Sequence, residues 1–169
     1  MLRSKWFIVA VALQALFLIG LACTFYAADW MGREIRLRTA PVDPRDYLYG
    51  DYVILSYEMS QLNTSLWQGG SELPDRGDTV YVALAPDTEG IYAPVAFYPN
   101  RAAVPEEQVL IRALVEYQWD HIVTVKYGLE RYYVPEGTGE TLQRQAGNLL
   151  VTVKVAPWGQ TVITGVEAR

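Results

Sequence analysis

From Trp6 to Ala28 the chain carries no charged residue. At about 1.5 Å of rise per residue, that run makes a helix of roughly 34 Å, enough to cross a hydrocarbon core of about 30 Å. Trp6 and Phe7 stand at one end of it, and Phe25, Tyr26 and Trp30 at the other, where interfacial aromatics belong. A cleaved leader is the competing reading. Its apolar core usually runs only about 7–15 residues, and Gly20-Leu21-Ala22-Cys23 lacks the large aliphatic residue expected three positions before a lipoprotein cysteine. The run therefore predicts an uncleaved membrane anchor over residues 1–28 and a separate domain over 29–169. Arg3 and Lys5 favour an inside N-terminus; Arg33, Arg36 and Arg38 after the run argue the other way. Long domains translocate largely regardless of charge. The expected placement is a single pass through the inner (cytoplasmic) membrane, with the domain on its outer face and membrane lipid as a partner.

Charge and residue usage narrow the chemistry. All 19 acidic residues of the chain follow Ala28, but only 12 of its 14 basic ones do, a balance of −7 for the domain. A domain so acidic lacks the basic footprint that nucleic acid requires. Cys23 is the only cysteine and lies in the apolar run, which excludes an intrachain disulfide and a cysteine-based metal site. His121 is the only histidine and reads as a loop or strand-end residue, so a histidine triad or cluster is not expected. Five Trp and 12 Tyr supply material for a core.

The domain reads as mainly β, of the α+β kind, with one or two short helices, because strand patterns recur along most of its length. Arg33 to Thr39 alternates, with Ile35 and Leu37 on one side, and predicts a strand leaving the membrane whose arginines meet headgroups. Pro41 and Pro44 stiffen the loop that carries Asp43, Arg45 and Asp46; this loop is either a braced turn or a rigid recognition loop. Gly50-Asp51 predicts a turn, with Asp51 bonding nearby amides. Tyr52 to Tyr57 then predicts a strand apolar on both faces, hence central. Met59, Leu62 and Leu66 fit a short helix or turn ended by Gly69-Gly70. Gly77-Asp78-Thr79-Val80 repeats the Gly-Asp-x-Val phrase of residues 50–53, which suggests either paired strands or an old duplication. Further strands are expected over Val109–Trp119 and Ile122–Tyr127, with a hairpin turn at Pro86–Gly90. A short helix is expected from Thr138 or Thr141 to about Asn148, and a last hairpin turns at Trp158-Gly159.

With GDYVILSYEM in view, the sequence resembles the bacterial membrane-anchored family named after its GDYXXLXYXIX motif. Gly50, Asp51, Tyr52, Leu55 and Tyr57 fall on the named positions, and Met59 stands where the family has Ile. PVDPRDYLYG before the motif and YGLERYYVPEGTG after it are similar to the same family. The second stretch adds Tyr127, Glu130, Arg131, Tyr132, Tyr133, Glu136 and Gly137 to the residues of interest. The resemblance spans essentially the whole chain. It implies no established activity and no cofactor, and an arrangement like that of companions of multi-pass membrane proteins. A weaker similarity to anchored signal peptidases rests on the Gly-Asp-x-Val strand. Those enzymes need a serine just before it and a lysine later; here no serine occurs between Ser4 and Ser56.

The expected function is a non-catalytic accessory or interaction protein that contacts a multi-pass membrane protein. Tyr47, Tyr49, Arg45, Arg131, Tyr132 and Tyr133 are candidate contacts, because Tyr and Arg favour interfaces. The alternatives are an envelope hydrolase using Asp43, Asp46, Asp51 or Glu136, a ligand- or ion-binding domain, and a degenerate signal-peptidase-like barrel. A calcium site on Asp43, Asp46 and Asp51 suits oxygen ligands, but their spacing does not match the helix-loop-helix calcium pattern.

Overall fold

Alternating apolar residues dictate most of the architecture. A computed structural model describes residues 2–41, 52–134 and 146–168. The uncharged run lies inside one helix, α1 (Leu2–Met31), whose stretch Trp6–Cys23 is not buried against the rest of the chain. Its stretch Trp6–Cys23 is apolar and long enough to cross a membrane. Cys23 is exposed on it.

The domain is β-rich, and its described helical pieces are three-residue 3-10 turns at Glu58–Ser60, Thr64–Leu66 and Ala146–Asn148. Its strands are β1 (Arg33–Ala40), β2 (Tyr52–Ile54), β3 (Ser56–Tyr57), β4 (Gln61–Asn63), β5 (Thr79–Pro86) and β6 (Tyr92–Tyr98). They continue as β7 (Val109–Trp119), β8 (Ile122–Lys126), β9 (Arg131–Tyr133), β10 (Leu149–Val155) and β11 (Thr161–Ala168). They form a sheet of order β11-β10-β1-β3, a second of order β4-β8-β7-β5-β6, and the pair β2-β9. All described pairings between named strands are antiparallel.

The sheets share one apolar core. On β1, Ile35 and Leu37 point inward beside Val153 and Val151 of β10. Val80, Val82 and Leu84 of β5, Ile111 and Val115 of β7, and Val123 and Val125 of β8 join the same cluster. The expected strand at residues 52–57 is not a single central strand. Its first part pairs with β9, the Leu55 amide donates to the Glu130 carbonyl at 2.9 Å, and Ser56 and Tyr57 pair with Ala40 and Thr39 of β1. Three residues later, Gln61–Asn63 pairs with β8. Residues 52–63 therefore cross from sheet to sheet and stitch all three together. Both faces of this stretch read as apolar because it runs through the junction. The helix or turn expected on Met59, Leu62 and Leu66 is a pair of 3-10 turns, Glu58–Ser60 and Thr64–Leu66, with β4 between them.

The two Gly-Asp-x-Val units do not pair with each other; β2 pairs with β9, and β5 with β6 and β7. In the second unit, Gly77 adopts φ +95°, its amide donates to the Val115 carbonyl at 2.9 Å, and Asp78 accepts from the Asp75 amide at 2.9 Å. This is the bracing expected of Asp51, which itself lies outside the described residues.

The turn before β10 packs on Pro41. A Cβ at Gly147 would lie 2.9 Å from the Pro41 Cα and 3.1 Å from its Cγ, against backbone that cannot yield cheaply. Gly147→Ala is expected to lower stability by about 1–3 kcal/mol through overpacking, read as a fall in the urea midpoint of the full chain in detergent. An unchanged midpoint would show that this contact is slack.

Candidate functional site

The two stretches that resemble one family are neighbours in space. β2 of the motif lies against β9, with Tyr52 opposite Tyr133, Val53 opposite Tyr132 and Ile54 opposite Arg131. Leu55 is fully buried between them.

Two tyrosines lock the stretches reciprocally. The Tyr57 hydroxyl donates to the Leu129 carbonyl at 2.9 Å, so the motif reaches into the second stretch. The Tyr127 hydroxyl donates to the Met59 carbonyl at 2.6 Å, so the second stretch reaches back. Glu130 ties the loop between them, accepting from the Tyr127 amide at 2.6 Å through Oε1. Both rings are buried. Burial first, and the Glu130 carboxylate second, push both phenols well above their ordinary range. Neither hydroxyl is poised to give up a proton near neutral pH; both serve as fixed donors to backbone.

Tyr52, Arg131 and Tyr133 stand at the rim of this junction or face outward. Tyr52 and Tyr133 form a tilted ring pair with centroids 6.0 Å apart, and the Arg131 guanidinium stands 5.9 Å from the Tyr52 ring centroid. Tyr133 is 75% exposed, whereas Tyr132 is half-buried and packs against the core. Asp43, Arg45, Asp46, Tyr47, Tyr49, Gly50, Asp51, Glu136 and Gly137 lie outside the described residues, and with them the carboxylates of the hydrolase alternative.

The arginines of β1 have partners on the domain itself. Arg38 pairs with Glu89 at 2.7 Å and Asp87 at 3.5 Å, and Arg36 donates to the Glu89 carbonyl at 3.3 Å. They clamp the β5–β6 turn onto β1. That turn carries Gly90 at φ +74°, and Asp87 Oδ1 accepts there from the Glu89 and Ile91 amides. Arg36 and Arg38, two of the three arginines expected at headgroups, thus engage the domain's own β5–β6 turn.

Sequence reasoning missed one surface. Leu114, Tyr117, Trp119 and Ile122 are large, apolar and exposed, Trp119 to 79%. In β7, strict alternation would align Tyr117 and Trp119 with the buried Val109, Ile111, Ala113 and Val115. A register shift between Val115 and Tyr117 prevents this: Val115 stands opposite Val125, but Tyr117 opposite Thr124 and Trp119 opposite Ile122. A bulge at Glu116 therefore turns both aromatics to the outer face, beside Leu114 and its partner Lys126. Only the pairing with β8 reveals it. Among the described residues no group of three or more His, Cys, Asp or Glu is placed to hold a metal ion.

Comparison with known proteins gives one match. The family model described as GDYXXLXY protein matches residues 14–166. Neither the curated proteins nor the solved structures give a match.

Proposed function

Because the chain belongs to the GDYXXLXY protein family, whose described name-giving residues Tyr52, Leu55 and Tyr57 build a junction of sheets here, we propose that it is a membrane-anchored interaction protein. On this reading α1 is an uncleaved anchor in the cytoplasmic membrane, and the domain stands on the outer side as a non-catalytic accessory to a multi-pass membrane protein. The observation that carries it is the exposed face of the β7–β8 hairpin. Leu114, Tyr117, Trp119 and Ile122 lie together there, brought outward by a bulge. A bulge that exposes a tryptophan works against the domain's own stability and fits a contact surface, where aromatics dominate binding. On this reading, with β7 running away from the bilayer, the face stands far from it. β7 begins at Val109, which shares a cleft with Met31 at the end of α1, and at about 3.3 Å per residue the tip at Trp119 stands about 30 Å further on. The partner's extracytoplasmic part, not lipid, would meet it. The buried tyrosines support the same reading, because the hydroxyls of Tyr57 and Tyr127 are committed to the Leu129 and Met59 carbonyls.

Cross-linking with mass spectrometry on native membranes tests this. Lys126 stands on the same face, half-exposed and ion-paired with Glu116, so amine-reactive cross-links from it report on the hairpin. The wild type is expected to give Lys126 cross-links to one multi-pass protein. Trp119→Ala is expected to lower their yield at least tenfold, as for an interface hot spot worth about 2 kcal/mol or more. The same change should shift the stability of the exposed site by no more than about 0.5 kcal/mol. A chain that runs alone, with no reproducible cross-linked protein, would end the accessory reading.

A further inference from the structure

We propose that the cleft at the foot of the domain seats the phosphate of an anionic lipid headgroup between Arg33 and Arg101. The inference rests on the membrane-anchor reading of α1 and names one ligand that reading leaves open. The cleft has a volume of about 390 Å³ and is lined by Met31, Arg33, Arg101, Gln108 and apolar residues including Val104 and Val155. This lies within the usual range of roughly 300–1,000 Å³ for small-ligand sites.

Charge singles the cleft out. Arg33 donates to the Glu106 carbonyl and Arg101 to the Pro157 carbonyl. Among the described residues neither lies within ion-pair distance of a carboxylate, unlike Arg38 with its two acidic partners. A guanidinium has five N–H donors in a fork suited to phosphate, so each retains donors for a ligand. On a domain of balance −7, which an anionic membrane would otherwise repel, this cleft gathers two arginines and has no carboxylate among its lining residues. Glu106 and Glu107 line the adjoining hollow on Arg33, not the cleft itself.

Depth agrees. The uncharged run ends at Ala28 and α1 at Met31. Three residues of helix rise about 4.5 Å, and the polar layer of a bilayer is about 5–8 Å thick on each side. On the anchor reading the cleft therefore opens at headgroup level. Trp30, 90% exposed, stands on the helix beside it, and Trp158, 42% exposed, follows Pro157 in the β10–β11 turn. Tryptophans at that depth are what an interface selects.

Native mass spectrometry of the full chain in mild detergent, supplied with phosphatidylglycerol or phosphatidylcholine, tests the assignment. The wild type is expected to retain phosphatidylglycerol at least fivefold more than phosphatidylcholine. Arg33→Gln with Arg101→Gln should abolish that preference. Arg76→Gln, at an exposed turn near the opposite end of β5, should keep it. Arg101→Gln alone should lower retention about threefold, which preserves the test if the double variant misfolds. Equal retention in all variants, or of both lipids, would overturn the proposal. So would displacement by millimolar inorganic phosphate, which would assign the site to a free anion. Alkaline carbonate extraction of native membranes separates the two levels: release of the chain would sink the anchor reading, whereas a chain that stays without retaining lipid sinks only the headgroup site.

Discussion

Tyr57→Ala is expected to destabilise the domain by about 3–5 kcal/mol, the usual cost of emptying a large buried aromatic site, and so to remove much of a stability that for domains is typically only about 5–15 kcal/mol. The ring is 1% exposed and sits where β1, β3 and the 127–130 loop meet. Tyr57→Phe keeps the ring and removes the hydroxyl. It leaves the Leu129 carbonyl without its partner and should cost about 1–3 kcal/mol. Tyr127→Phe should cost a similar amount through Met59. Because both hydroxyls fasten the same pair of segments around Glu130, the double variant should depart from additivity by about 0.5 kcal/mol or more. Urea titration of the full chain in detergent reads all of these. A Tyr57→Phe midpoint equal to that of the wild type would mean that the hydroxyl contributes nothing to the lock.

The same lock fixes a pH dependence. Both native phenols titrate above their ordinary value, which is about 10 in an unfolded chain. Between those values the native state holds protons that the unfolded state has released, so stability must fall as pH rises. It is fully present below about pH 10. Above that it declines by about 1.4 kcal/mol per pH unit for each tyrosine until the native value is reached. Thermal melts from pH 8 to 11.5 should show a downward slope that is shallower in either single Phe variant and shallowest in the double one. A wild type and double variant with parallel profiles would remove the two phenols as its source.

What the sequence made legible follows from how local each signal is. α1, β1, β7, β8 and the last hairpin were readable because charge absence, alternation and Gly turns act over a few consecutive residues. The position of the motif was readable, but not its work. Residues 52–57 looked like one central strand because burial on both faces does not distinguish a sheet interior from a junction of sheets. Among the candidate tyrosines, inward and outward ones carry identical side chains. Tyr57 and Tyr127 face the core, whereas Tyr52 and Tyr133 form a pair at the surface. That division depends on contacts about seventy residues apart in the chain, Tyr57 with Leu129 and Tyr127 with Met59. The aromatic face at Tyr117 and Trp119 depends on a bulge that exists only in register with β8.

Thr39 shows most sharply what pairing adds to pattern, and Thr39→Val is expected to cost about 3 kcal/mol. At Arg38, β1 still pairs with Leu150 of β10; at Thr39 it pairs with Tyr57 of β3. The ladder to β10 therefore ends one residue before Leu149 is satisfied. The Thr39 side chain completes it: Oγ1 accepts from the Leu149 amide at 2.8 Å and donates to the Leu149 carbonyl at 3.1 Å. Thr39 is 4% exposed and Leu149 2%, so water cannot replace the hydroxyl. Valine has the same shape but strands both backbone groups, each costing about 1–3 kcal/mol when buried unpaired. Thr39→Ser keeps the hydroxyl, loses one methyl and should cost only about 1 kcal/mol. The order wild type, Ser, Val in urea midpoint is the expected result. If Val is instead as stable as Ser, the hydroxyl is not what closes the ladder, and the switch from β10 to β3 must be held by the packing of Leu37 and Tyr57 alone.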